Sequence, residues 1–91
     1  MPEKNWNVEL SKRALKYLGR LGQKNSNRIL RNLEKLEDMD NPLLHRDVRP
    51  LIGKLRGFHR LRIGNFRIIF ELDRKKKRIG IHIIVSREDA Y

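Results

Sequence analysis

The chain has 91 residues and a mass of 10.9 kDa, enough for one core and too little for a separate regulatory module. Its 22 Lys and Arg against 11 Asp and Glu give a formal net charge of +11 and a pI near 10.7, which points to a polyanionic partner. Cysteine is absent, so disulfides, thiolate nucleophiles and Cys-type zinc sites are excluded together. A hydrophobic content of 38% without low-complexity tracts excludes a disordered basic tail. No stretch approaches the ~18–20 continuous apolar residues of a bilayer span, and Met1-Pro2-Glu3-Lys4-Asn5 lacks the apolar region of a signal peptide. The expected location is the cytoplasm, with no membrane partner.

Trp6, Val8 and Leu10 alternate with Asn7 and Glu9, the period of a short half-buried strand. Ser11 is placed to cap a helix over Lys12–Leu21, in which Ala14, Leu15, Tyr17, Leu18 and Leu21 recur at three- and four-residue spacings. Gly22 suits its C-terminal stop. A second helix is expected from Asn25 or Ser26, with Ile29, Leu30, Leu33, Leu36 and Met39 on one side and an end before Asn41-Pro42. The two helices should form an antiparallel hairpin.

Residues 41–50 have proline near both ends and no period, which reads as a connecting loop. Leu51–Leu55 is compatible with a short strand, and Phe58–Ile63 is a clearer one. Gly64-Asn65 is a two-residue hairpin turn leading into a strand over Phe66–Leu72. After a turn at Asp73–Lys77, the run Arg78–Val85 is apolar enough for a central strand covered on both faces. The order β-α-α-β-β-β implies an α+β domain, its helical hairpin lying on a mainly antiparallel sheet of about four strands.

The charge is uneven. Residues 1–40 hold 9 basic and 6 acidic side chains (net +3), and residues 41–91 hold 13 and 5 (net +8). Alternation puts His59, Leu61 and Ile63 on one face of their strand and Arg60 and Arg62 on the other; in the next strand Phe66, Ile68, Phe70 and Leu72 leave Arg67, Ile69 and Glu71 opposite. If the apolar sets share the helix-covered face, Arg60, Arg62 and Arg67 converge on the open one. Guanidiniums so arranged repel one another unless an anion lies between them, and together they form a phosphate cradle.

Other polar groups are less specific. The run Arg74-Lys75-Lys76-Lys77-Arg78 reads first as a solvated turn and second as a non-specific phosphate contact. His45, His59 and His82 show no ligand spacing, and Glu71, Asp73 and Lys75 form only a loose D-x-K in a predicted turn, so no metal is expected. Trp6 and Phe58 read as core anchors, whereas Tyr91 is either a base-stacking group or a frayed end.

At Gly53-Lys54-Leu55-Arg56-Gly57, followed by Phe58-His59-Arg60-Leu61-Arg62-Ile63-Gly64-Asn65-Phe66-Arg67-Ile68-Ile69-Phe70-Glu71, the sequence resembles the RelE/ParE toxin superfamily of bacterial and archaeal toxin–antitoxin modules. The shared pattern is K-L-x-G and then R-x-R-x-G-x-[YF]-R-I-I-[YF], with the helices before it and the last strand after it in family order. The resemblance implies one RelE-like toxin domain over residues 1–91. RelE-type members cleave mRNA in the ribosomal A site without metal or cofactor, and ParE-type members inhibit DNA gyrase. Arg87 and Tyr91 stand at the R-x-x-x-Y spacing that closes many RelE-like toxins, which tilts the expectation toward an mRNA interferase.

By the same resemblance Arg60 and Arg62 are the basic pair of the active-site strand, Arg67 holds the phosphate, Arg87 serves the transition state or leaving group, and Tyr91 stacks or orients. Lys54, Arg56, Lys75, Lys76 and Lys77 are expected RNA contacts. Arginines stand where relatives carry lysines, and Ser86 where many have histidine. The chemistry is attack of a ribose 2′-OH on the adjacent phosphate, leaving a 2′,3′-cyclic phosphate and a free 5′-OH. Guanidinium is a poor proton acceptor, so the base is open among Glu71, His59, His82, Tyr91 and a ribosomal group. The implied partners are a cognate antitoxin, in a toxin–antitoxin hetero-oligomer, and the small ribosomal subunit's A site with its mRNA. Two other readings are a gyrase-directed toxin and a non-catalytic basic nucleic-acid-binding module.

Overall fold

Residues 4–87 are described by a computed structural model. The chain begins with strand β1 (Asn7–Leu10), followed by helices α1 (Lys12–Arg20) and α2 (Gln23–Asp38). A single 3-10 turn at Pro42–Leu44 leads to β2 (Val48–Pro50), and a second at Gly53–Leu55 precedes β3 (His59–Ile63), β4 (Phe66–Asp73) and β5 (Arg78–Ser86). The architecture is α+β. The sheet has five strands in the order β1-β5-β4-β3-β2, parallel only between β1 and β5.

Local chemistry accounts for most boundaries. Ser11 is in extended conformation and its Oγ accepts from the Ala14 N–H at 3.0 Å, satisfying one of the first-turn donors of α1. The same hydroxyl donates to the His82 carbonyl at 2.6 Å, fastening the helix start to β5. Gly22 does not end α1. It caps α2, its carbonyl accepting from the Ser26 N–H at 3.0 Å, so α2 begins two residues earlier than Asn25. Gly64 adopts φ +55, the left-handed value that a two-residue hairpin turn requires.

One layer of apolar side chains lies between helices and sheet. Ala14 and Leu18 from α1 and Ile29, Leu33 and Leu36 from α2 pack with Leu61, Ile63, Ile68, Phe70, Ile79, Ile81 and Ile84 from the strands. Each Leu or Ile so buried contributes roughly 1.5–3 kcal/mol relative to exposure. Trp6 is in this core at 2% exposure, its indole N–H donating to the Asp40 carbonyl at 3.2 Å. Glu37 is the buried acidic side chain among the described residues; it accepts from the Val8 N–H at 2.8 Å and from Lys4 Nζ at 2.9 Å, tying the end of α2 to β1.

Further expectations are corrected. The sheet has five strands rather than about four, because β2 lies within the segment read as a loop. A three-residue edge strand ending in proline is too short to show a period. Leu51–Leu55 is not a strand, since Gly53 takes φ +71 and the chain closes into the 3-10 turn. Phe58 is not a core anchor: it is half-buried, with its ring edge-on to His82 at 4.8 Å.

Another correction concerns β5, which is interior but covered on one face only. Ile69 pairs with Ile83 and Phe70 with Ile81, leaving His82 as the extra residue of a bulge. Ile79 and Ile81 are buried before the bulge and Ile84 after it, so the helix-facing set changes from odd to even numbers. The apolar run Ile83-Ile84-Val85 arises from this phase change. Among the described residues no helix is long and apolar enough to cross a membrane.

Candidate functional site

Register places the arginines in rows across the open sheet face. Arg62 on β3 is directly opposite Arg67 on β4, which in turn is opposite Val85 on β5. One pleat further along, Arg49 on β2 faces Arg60, which faces Ile69 and then Ile83. Just past the end of β5 the Arg87 N–H donates to the Asn65 carbonyl at the β3–β4 turn, and the Arg87 charge is close enough to act on Arg67. Ile69 is 4% exposed yet stands apart from the helix-side core, walled by its cross-strand neighbours Arg60 and Ile83.

Arg67 is the centre of this group. Its Nη1 donates to the Gly64 and Phe66 carbonyls at 3.0 and 3.1 Å, which holds the guanidinium against the hairpin. Partial burial, and then the charges of Arg60, Arg62 and Arg87, push its ionisation below the usual arginine value. It remains cationic at any physiological pH. Arg60 has its Nε buried without a partner. The acidic side chain within ion-pair reach of these rows, among the described residues, is Asp47, 3.6 Å from Arg62 Nη2 and 3.7 Å from Arg46 Nε.

The structure thus brings Arg60, Arg62 and Arg67 together on the open face, with the Arg87 charge near Arg67. It sets Arg67 apart from the three described candidates for a proton acceptor. Glu71 and His82 form their own pair at 3.2 Å, beside Phe58, near the opposite end of β4. Four residues separate Arg67 from Glu71, about 13 Å at the rise of a strand. His59 lies on the helix side, its ring 5.9 Å from that of the fully buried Phe70 and its Nδ1 buried without a partner. Burial first, and the Arg74 charge second, depress its pKa below the ordinary histidine value.

Lys54 and Arg56 are exposed in the turn before β3, and Lys75, Lys76 and Lys77 in the β4–β5 turn. Both turns lie at the end of the sheet away from Arg67. Lys77 has a structural role there: its ammonium is 4.3 Å above the Trp6 ring, its φ is +54, and its carbonyl accepts from the Asn7 N–H. Tyr91 lies outside the described residues. Arg46 and Arg49 were not anticipated, because β2 offers no alternation from which their facing could be read. Its one sequence trace is Val48 between charged neighbours and ahead of Pro50.

Chemically, this surface concentrates positive charge on rigid strands with fixed guanidinium geometry, suited to bidentate contacts with phosphate oxygens. Its described residues carry no group of three His, Asp or Glu placed to hold a metal.

The model of the family described as the ParE toxin of type II toxin–antitoxin systems, parDE, matches residues 8–91. Comparison with curated proteins by sequence finds no match. Among solved structures, the archaeal RelE–RelB complex from Pyrococcus horikoshii OT3 contains a chain 29% identical, with 94% of this chain and 99% of that one covered at a TM-score of 0.76. The RelBE2 toxin–antitoxin complex from Mycobacterium tuberculosis matches at 22% identity, 92% and 93% coverage and a TM-score of 0.79. The isolated RelE toxin of E. coli matches at 15% identity, 93% and 87% coverage and a TM-score of 0.73, a likeness of fold. With a family match over nearly its whole length and the same fold as RelE, this chain belongs to the ParE toxin family within the RelE/ParE superfamily and is the toxin of a type II toxin–antitoxin system.

Proposed function

We propose that the toxin is a RelE-type endoribonuclease that cleaves mRNA in the ribosomal A site without metal, formed as one domain over residues 1–91. The observation that carries this reading is the convergence of Arg60, Arg62 and Arg67 on one open sheet face, with the Arg87 charge acting on Arg67. In this reading Arg67, pinned to two backbone carbonyls, holds the scissile phosphate. Arg60, Arg62 and Arg87 neutralise the charge that grows on the phosphorane as the 2′-OH attacks and the 5′-oxygen leaves. Preorganised charge of this kind supplies much of a rate enhancement without acid–base groups. Glu71 lies four residues along the strand from Arg67, with His82 beside it, and His59 is on the other face, so the proton of the 2′-OH passes to Tyr91 or to a group of the ribosome, and the departing 5′-oxygen takes a proton from that group or from water to give the 5′-OH. Lys54, Arg56 and the β4–β5 turn then contact the RNA backbone beyond the reacting centre.

The partner that restrains the toxin is a cognate antitoxin, as in the solved complexes of the related RelE chains. An acidic segment laid over the arginine rows would neutralise part of the +11 charge and relieve its self-repulsion.

The test is purified toxin added to programmed ribosomes, with mRNA ends mapped by primer extension and naked mRNA as control. Cuts within the A-site codon that require ribosomes are expected; their absence with folded protein refutes the reading. The match to a ParE model favours a second reading, a gyrase-directed toxin. A supercoiling assay on the same preparation separates the two.

A further inference from the structure

A second cluster on the open face lies beside the reacting centre. A recess of about 80 Å³ between β2 and β3 is lined by Arg46, Asp47, Arg49, Arg60 and Arg62. Four guanidiniums against one carboxylate leave it with a formal charge of +3 (4 − 1). Arg49 is directly opposite Arg60, and its Nη1 donates to the Arg46 and Val48 carbonyls at 2.8 and 2.9 Å. Its position is therefore fixed before any ligand arrives, while its Nε and Nη2 have no partner among the described residues. Arg60 contributes a buried Nε that is likewise unpartnered.

Asp47 does not fill this role. Its carboxylate bridges Arg46 and Arg62 at 3.7 and 3.6 Å, and its backbone N–H is held by His45 Nδ1 at 3.0 Å, so it braces the rim. A buried guanidinium nitrogen without an acceptor costs free energy that a phosphate oxygen would recover.

Spacing identifies the ligand. The Arg49–Arg60 row and the Arg62–Arg67 row are two residues apart on β3, roughly 6.6 Å at strand rise, about one nucleotide step along an extended single strand. We propose that Arg49, with Arg46 and Arg60, forms a second phosphate subsite that takes the phosphodiester next to the one held by Arg67 in a single-stranded RNA. This rests on the endoribonuclease reading above. Arg49 touches no reacting atom in this arrangement: it sets the register of the strand so that the adjacent phosphate meets Arg67.

The test uses uncleavable 2′-O-methyl RNA, a dinucleotide with one phosphodiester and a trinucleotide with two, titrated into the toxin at low salt. The wild type binds the trinucleotide about tenfold more tightly. Arg49→Gln reduces that gain to below about twofold, leaves dinucleotide affinity unchanged, and lowers the salt slope for the trinucleotide by about 0.7, one phosphate contact on a single strand. Arg46→Ala, at a side chain 92% exposed, gives a partial loss of the same gain. Arg67→Ala weakens both ligands. A full trinucleotide gain in folded Arg49→Gln, or equal weakening of both ligands, overturns the subsite. A wild type that binds neither ligand overturns the RNA reading itself, and the subsite with it.

Discussion

Replacing Arg67 with alanine separates the catalytic role proposed for this side chain from its effect on the fold. Loss of one preorganised charge donor to a phosphorane costs about 10²–10³ in rate, or about 2.7–4 kcal/mol of transition-state stabilisation. The folded state responds differently. Alanine removes two hydrogen bonds to the Gly64 and Phe66 carbonyls, both of which water can replace at the hairpin end. It also removes the like charge directly opposite Arg62, a cross-strand repulsion of about 0.2–1 kcal/mol, together with the repulsion from Arg60 and Arg87. These changes oppose one another and leave stability within about 0.5 kcal/mol, which for a domain of this size moves the Tm by no more than about 4 °C. Ribosome-dependent cleavage read by primer extension, and thermal unfolding followed by circular dichroism, measure the two parts. A fall in cleavage of less than tenfold refutes the phosphate-holding role. A fall in Tm beyond about 8 °C refutes the claim that the cluster is electrostatically strained when empty.

Three other perturbations follow from named contacts. Glu37→Ala leaves the Val8 N–H without its buried acceptor and costs about 1.5–3 kcal/mol, lowering the urea midpoint without changing the slope; a midpoint shift within error removes the staple between α2 and β1. His59 has a depressed pKa in the folded state, so the unfolded chain binds the extra proton as pH falls below about 6.5, and stability present above that value is lost on acidification. His59→Phe removes this titration, so the wild-type-minus-variant stability difference falls as pH drops from roughly 7 to 5 and the variant becomes relatively more stable at low pH; a difference that does not change with pH refutes the assignment. Gly64→Ala places a Cβ within 2.6 Å of the movable Arg28 guanidinium and a side chain at φ +55, costing about 1–2 kcal/mol, most of it from the backbone. Equal stability of this variant by chemical denaturation contradicts the left-handed turn.

Much of the candidate site was open to the sequence because strand alternation is a strict rule. Arg60, Arg62 and Arg67 follow from the apolar positions Leu61, Ile63, Phe66 and Ile68, which leave the arginines no other face. The Gly64-Asn65 turn sets the β3–β4 register, so even the facing of Arg62 and Arg67 was implicit. Ser11 as a cap, and Trp6 as a core residue, were legible for equally local reasons.

Tertiary structure decided what local rules leave open. The sequence by itself determined the element order, the α+β class and the arginine row on β3 and β4, all of which depend on period, capping and turn chemistry within a few residues. It did not reveal β2, because three residues ending in proline acquire strand geometry only by pairing with β3; with β2 came Arg49 and the recess it shares with Arg60. Nor did it reveal the His82 bulge, a mismatch between β4 and β5 that neither strand encodes alone, which moves the helix-facing set from Ile81 to Ile84. Alternation placed Glu71 on the arginines' face, but only the assembled sheet showed it engaged with His82 at the far end, because a shared face fixes direction and leaves distance to the pairing of strands.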